Sequence, residues 1–269
     1  MSEDDSILRT VGLTKHFGNI VAVEDVDFSL REGEVMALVG DNGAGKSTLI
    51  KALCGVHQPT SGDIYVRGEA VSFEDYGDAR QKGIETVYQD LALAEQQTVA
   101  ANVFLGHEPI RSDFLGRYLG IVDKAAMRER ATESLDRVQI PVDPGAKVRD
   151  LSGGQQQAVA VARALQSDPD ILILDEPTSA LSIEGARNVL RVIDDLREQG
   201  LSIILISHNI RQVLAIADRI SVLAQGRLTG VRDADSASRD EIISLMMGAD
   251  DEEDVEEFDL STSEEGAPA

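Results

Sequence analysis

Three separated clusters in this chain carry residue types suited to phosphate chemistry. In Gly40-Asp41-Asn42-Gly43-Ala44-Gly45-Lys46-Ser47, glycines let successive backbone N–H groups converge on β- and γ-phosphates. Lys46 adds a point charge there, and Ser47 can hold Mg²⁺. The run Ile171-Leu172-Ile173-Leu174-Asp175-Glu176 reads as a buried strand delivering two carboxylates to one place. Between them lies Leu151-Ser152-Gly153-Gly154-Gln155, a turn that a plain phosphate-loop ATPase does not need. It points to a nucleotide site completed by a second copy of the chain.

These clusters need elements that hold them. Short apolar strands are expected over 8–13, 21–30 and 35–39, the last feeding Gly40, and a helix over 46–53 follows the glycine loop. Strand, glycine loop and helix form the context that a phosphate-loop match requires. Turns at Ser61-Gly62 and Arg67-Gly68 bracket a hairpin strand over 64–66; a helix over 76–82 and a strand over 84–88 follow. From about 90 to 166 the strand signal gives way to helical periodicity over 124–138 and 155–165. This segment reads as an inserted helical lobe. Strands over 170–174, 201–207 and 219–223 then alternate with helices over 183–198 and 210–217. Such alternation predicts an α/β fold with a parallel sheet covered on both faces. Ser238 and Glu241 have capping-box spacing before an apolar run, which places one more helix within 236–248. The expected domain runs over 7–248, with a core of 7–89 and 167–230 and a lobe of 90–166. An acidic tail over 249–269 lacks the apolar residues to fold.

Composition narrows the function. With 269 residues and 42% apolar residues, the chain can bury a sizeable core. No apolar run approaches the roughly 20 residues of a membrane helix. The acidic start, Met1-Ser2-Glu3-Asp4-Asp5, resembles neither a signal nor a transit peptide, and a cytoplasmic location is expected. The single cysteine, Cys54, excludes an internal disulfide and is expected to be an inert core thiol. A net charge of −23 argues against a nucleic-acid surface, so positive potential must be local to the phosphate cradle. Ten of the 48 carboxylates lie within 250–265, which leaves 38 against 25 cations in the rest of the chain. Only six of those cations are lysines. Acid spread over the whole fold with little lysine suggests a protein held soluble in concentrated salt, where self-repulsion is screened.

The order of these motifs resembles that of the nucleotide-binding subunits of ATP-binding cassette (ABC) transporters, over roughly 7–248. The resemblance implies a phosphate-loop (RecA-like) core with an N-terminal antiparallel β subdomain, and ATP and Mg²⁺ as ligands. It makes Gly40, Asp41, Asn42, Gly43, Ala44, Gly45, Lys46, Ser47 and Thr48 the ATP-binding loop. Ser47, Gln89 and Asp175 would serve Mg²⁺, with Gln89 as the Q-loop glutamine that senses the γ-phosphate. Glu176 would polarise the attacking water, and His208 would be the switch histidine on the γ-phosphate. Phe17 resembles the aromatic position that stacks on adenine, while His16 receives no role. Ser152, Gly153, Gly154 and Gln155 would cap the ATP of a partner subunit, so two ATP molecules would be sandwiched in a homodimer. One departure stands out: the family's Ser-Ala-Leu-Asp reads Ser179-Ala180-Leu181-Ser182 here, which puts the usual cross-dimer contact of that carboxylate in doubt.

The non-Asp residue at 182, the stretch Gly83 to Asp90 and the stretch Val99 to Gly106 are similar to carbohydrate importers of the ribose, xylose and fructose class. That likeness implies an ATPase subunit at the cytoplasmic side of the membrane, driving sugar uptake through separate permease subunits. An extracytoplasmic solute-binding protein would be an indirect partner. Nucleoside or other small polar solute import is the near alternative. An exporter ATPase, or a soluble cassette of translation or DNA repair, fits less well, since the latter expects duplicated cassettes, a coiled-coil insertion or zinc-type cysteines.

Overall fold

The computed structural model describes residues 6–113 and 118–248. The expected acidic tail over 249–269 lies outside the described residues. The chain opens with β1 (Ser6–Phe17), which pairs antiparallel with β2 (Ile20–Val26), β3 (Ser29–Arg31) and β5 (Ser61–Val66). Strand β5 continues the sheet to β6 (Glu69–Val71). This is the antiparallel β subdomain that the resemblance implies, with β1 extending four residues beyond its expected end; the single strand expected over 21–30 is instead broken at Asp27-Phe28 into β2 and β3.

The second sheet runs in the order β11-β10-β4-β9-β8-β7. Its members are β4 (Val35–Val39), β7 (Ile84–Val87), β8 (Ile171–Asp175), β9 (Ser202–Ile206), β10 (Arg219–Ala224) and β11 (Arg227–Asp233). All neighbours are parallel except β11, which pairs antiparallel with β10. Successive side chains point to opposite faces, so β8 gives Ile171 and Ile173 to one hydrophobic cluster and Leu172 and Leu174 to the other. Continuous apolar runs in β4, β8 and β9 follow from burial on both faces. Strand β11 escaped the sequence reading, because Thr229, Gly230 and Arg232 break up its apolar residues and it is buried only in part.

Helices cover both faces. They are α1 (Lys46–Leu53), α2 (Tyr76–Gln81), α3 (Val99–Val103), α4 (Lys124–Arg137), α5 (Gly153–Ala164), α6 (Ile183–Glu198), α7 (Ile210–Ile216) and α8 (Arg239–Met246). Helix α8 carries the expected capping box: Ser238 Oγ accepts from the Glu241 amide at 3.1 Å, and Glu241 Oε2 accepts from the Ser238 amide at 3.4 Å. The five-residue α3 was not expected, since it is too short to show periodicity; Thr98 caps it. Between 90 and 166 the described residues contain no strand, only isolated bridges at Thr98–Lys147 and Ile110–Val122. Val99, Val103, Met127, Ala131 and Val159 from α3, α4 and α5 share one apolar cluster with Leu172 and Leu205 of the sheet. Helix α5, called the signature helix because it opens at the Ser152-Gly153-Gly154-Gln155 turn, is thus packed directly onto the core.

Register sets the level of the site. Ile206 of β9 pairs with Leu38 on one side and Asp175 on the other. The carboxyl ends of β4, β9 and β8 therefore lie in one row, and the loops that follow them open on the same edge. In a parallel sheet that edge is the usual place for a ligand.

Candidate functional site

The glycine loop is shaped by close backbone approach. A Cβ on Gly40 would stand 2.2 Å from the Leu223 carbonyl oxygen, and one on Gly45, at φ 104°, 2.5 Å from that of Ala22. The loop is seated on the β10–β11 turn, where the Gly226 amide donates to the Ala44 carbonyl at 2.9 Å. Ala44 is buried, while Asp41, Asn42, Gly43 and Ser47 are exposed. Lys46 Nζ donates to the carbonyls of Gly40 at 2.7 Å and Asp41 at 3.0 Å, so its ammonium lies across the cradle. Burial pushes that ammonium below its usual pKa, against the pull of Glu176, Asp41 and Asp175. A phosphate would supply the counter-charge that the loop carbonyls provide only in part. Thr48 follows on the first turn of α1, its amide donating to Gly45 at 3.0 Å.

Asp175 ends β8, and Glu176 turns out of it with φ 51°. Left-handed backbone is unfavourable for a glutamate and persists where the surroundings fix it. Here the Glu176 amide donates to Ile206, the Ser179 hydroxyl donates to the Glu176 carbonyl at 3.1 Å, and Thr178 Oγ1 donates to Gln212 of α7 at 2.7 Å. The Glu176 carboxylate meets His208 Nδ1 with both oxygens, at 2.9 and 2.8 Å. It is the better shielded partner, at 15% side-chain exposure against 66% for the imidazole. Burial first, and then the neighbouring Glu176, hold the Asp175 carboxyl above its ordinary pKa, opposed by Lys46 and Lys51. The Asp175 carboxylate accepts no hydrogen bond from the described residues. The half-buried carboxylate at the end of β8, the exposed Ser47 after the phosphate loop and the exposed Gln89 past β7 each offer oxygen of the kind Mg²⁺ takes.

Gln89 lies just past β7. Beneath it is a polar network that the sequence reading missed. Glu85, buried in β7, accepts from the Tyr76 hydroxyl, from Arg80 Nε at 3.0 Å and from Ser167 Oγ at 2.9 Å. Arg163 of α5 donates to the carbonyls of Leu91 at 2.6 Å and Ala92 at 3.1 Å, which ties the signature helix to the segment after Gln89. The available signals were a charge at an interior strand position and an arginine within the apolar run of α5. Cys54 is buried against Thr86 Oγ1 at 2.9 Å, and burial pushes its thiol up to about 12, which fits an inert thiol.

The signature residues form a second cluster. Ser152 caps α5 in a capping box, accepting from the Gln155 amide, while Gln155 Oε1 accepts from the Ser152 amide at 3.0 Å. The glycines have an intramolecular duty as well as the anion approach expected of them. A Cβ on Gly153 would lie 2.8 Å from Leu181 Cδ2, and one on Gly154 would lie 3.4 Å from Gly185 Cα. Ser182, in place of the family's aspartate, caps α6 by accepting from the Gly185 amide at 3.1 Å. Together these residues line an open cavity of about 490 Å³ that includes no residue of the phosphate loop, nor Glu176 or His208. Phe17 is 43% exposed at the end of β1. His57 meets its ring edge-on, centroids 5.2 Å apart.

The structure thus brings Lys46, Asp175, Glu176 and His208 to one sheet edge and holds Ser152 to Gln155 apart from them, as a site completed by a second copy would require. Residues 23–179 match the sequence pattern of the family described as ABC transporter. The chain is 44% identical to the ribose import ATP-binding protein RbsA 1 of Rubrobacter xylanophilus, over 92% of this chain and 48% of that protein. It therefore spans about half the length of that relative. It is 41% identical to the fructose import ATP-binding protein FrcA of Rhizobium meliloti, over 91% of this chain and 95% of that one. A dimeric ATP-binding cassette solved in a post-hydrolysis state, bound to ADP and Pi, superposes with a TM-score of 0.70 at 27% identity, over 86% of this chain and all of the other. With its phosphate loop, paired carboxylates and signature helix in the family's order, the chain belongs to the ABC transporter family.

Proposed function

We propose that this chain is the ATP-hydrolysing subunit of a sugar importer, working as a homodimer around two MgATP at the cytoplasmic face of a membrane. The observation that carries the reading is the Glu176–His208 pair, set at the sheet edge where Lys46 lies across the phosphate loop. Glu176 accepts a proton from the water it orients, and His208 holds Glu176 in place and faces the γ-phosphate. Lys46 exchanges its loop carbonyls for phosphate oxygens. Mg²⁺, held by Ser47, Asp175 and Gln89, would neutralise charge on the β- and γ-phosphates. Phe17 offers adenine an exposed ring. Ser152 to Gln155 of each chain cap the nucleotide of the other, and closure moves permease subunits docked near 90–106.

The division into a core of 7–89 and 167–230, a lobe of 90–166 and a C-terminal helix within 236–248 belongs to this reading. Among the described residues no helix is long and apolar enough to cross a membrane, so separate permease subunits would supply the pathway. The likeness to proteins named for ribose and fructose import supports sugar as the solute. The test is uptake of labelled ribose, fructose and xylose in cells deleted for the gene. Restoration by the wild-type chain and not by Glu176→Gln supports the proposal. Unchanged uptake of all three sugars in the deletion strain would overturn the choice of solute.

A further inference from the structure

Beside His208, on the side where α7 and α8 begin, an open pocket of about 380 Å³ is lined by His208, Asn209, Ile210, Arg211 and Arg239. None of these is acidic, in a chain with 48 carboxylates and 25 Lys and Arg. Both arginines are exposed, and neither makes a hydrogen bond or ion pair with a described residue. Acids that contact or adjoin the residues of this region have other partners: Glu176 is bound to His208, and Glu241 to Arg232 and the Ser238 amide. Asp240 adjoins Arg239 in α8 but does not line the pocket. Arg239 also opens its helix, where a cation stands against the positive helix end. With no partner among the described residues, the two guanidinium groups leave this pocket open to an anion.

The chain carries such an anion itself. Segment 250–265 holds ten carboxylates and no Lys or Arg. Helix α8 is about 12 Å long, and the residues past Gly248 could span up to about 70 Å when extended. Reach is therefore no obstacle, and a tether of this length supplies a millimolar-range effective concentration. We propose that the pocket of Arg211 and Arg239 is an anion site occupied in cis by the carboxylate-rich segment 250–265. The contact stands whether or not the chain drives sugar import, and it places carboxylates next to the switch histidine. Each exposed pair is weak and screened by salt, so the segment is released as salt rises.

The test uses the full chain with Arg239→Lys or Arg211→Lys, which keeps the charge and supplies an amine for zero-length carbodiimide crosslinking. Isotope-labelled and unlabelled chains are mixed at low concentration and mapped by mass spectrometry, at two KCl concentrations where circular dichroism shows the fold intact. Crosslinks from positions 239 and 211 to carboxylates 250–265, within one chain and several-fold weaker at the higher salt, are expected. Crosslinks to carboxylates elsewhere, crosslinks joining labelled to unlabelled chains, salt-insensitive crosslinks or none would overturn the proposal. Should a variant fail to fold, phenylglyoxal labelling of the wild-type chain gives the second measurement. Arg211 and Arg239 should be modified several-fold more slowly than in a chain whose tail carboxylates are amides; equal rates reject the contact.

Discussion

Two carboxylates side by side, Asp175 and Glu176, have different surroundings and should fail differently. Glu176 is bound to His208 and set by a left-handed backbone, so Glu176→Gln should keep the phosphate cradle and lose water activation. Turnover should fall by roughly 10² or more with nucleotide binding retained; a mutant hydrolysing at the wild-type rate would remove Glu176 from the mechanism. Lys46→Ala, by contrast, should weaken ATP itself in an equilibrium titration. Asp175 tests the sign of burial. Its folded pKa lies above its unfolded one, so its ionised form costs stability once pH exceeds the unfolded value, and the cost is relieved as pH falls towards the ordinary carboxylate range. Asp175→Asn cannot ionise. Its nucleotide-free melting temperature at pH 7 should rise by a few degrees, the gain shrinking towards pH 4, while stabilisation by MgATP over ATP alone should vanish.

At the scale of elements, the start of α5 serves two ends. Ser152 caps its own helix and, in the proposed dimer, faces the partner's γ-phosphate. Ser152→Ala removes the cap and should cost about 1 kcal/mol of stability. Ser152→Arg loses the same cap and adds bulk where the phosphate would approach. In a Glu176→Gln background, MgATP should convert monomer to dimer on a sizing column and MgADP should not. Ser152→Ala should weaken that dimer little, whereas Ser152→Arg should abolish it and leave each chain's own nucleotide binding nearly intact. A dimer that persists with Ser152→Arg would rule out the two-site sandwich. Arg163 extends the logic: by donating to the Leu91 and Ala92 carbonyls it ties the signature helix to the segment after Gln89.

For the whole molecule, the dominant quantity is charge. Even without 250–265 the chain carries 38 carboxylates against 25 cations, and most ion pairs among the described residues are exposed and individually weak. Mutual repulsion therefore opposes compaction in dilute salt. The melting temperature should climb steeply as KCl rises from about 0.1 M to about 1 M, over which the Debye length falls from about 10 to about 3 Å. Neutralising the carboxylates of 250–265 should leave most of that slope. Superimposable melting curves across the range would end the salt-adaptation reading.

Motifs whose chemistry is local could be read from residue order alone. The glycine loop and α1 needed only a strand before Gly40 and a helix after it, and α6 and the capping box of α8 followed from periodicity and spacing. Strand β11 and the five-residue α3 could not be read this way. One is a half-buried edge strand and the other is shorter than two turns, so neither imposes a pattern. The site divides along the same line. Gly40, Lys46, Asp175 and Glu176 could be named from their neighbours in sequence and His208 from the family resemblance, but the level row formed by Leu38, Ile206 and Asp175 comes from strand register. The roles of Gly153 and Gly154 against Leu181 and Gly185, the burial of Glu85 among Tyr76, Arg80 and Ser167, and the sharing of one pocket by Arg211 and Arg239 join residues from different elements. Such contacts depend on how helices pack across a sheet, and no spacing along the chain encodes which side chains will meet there.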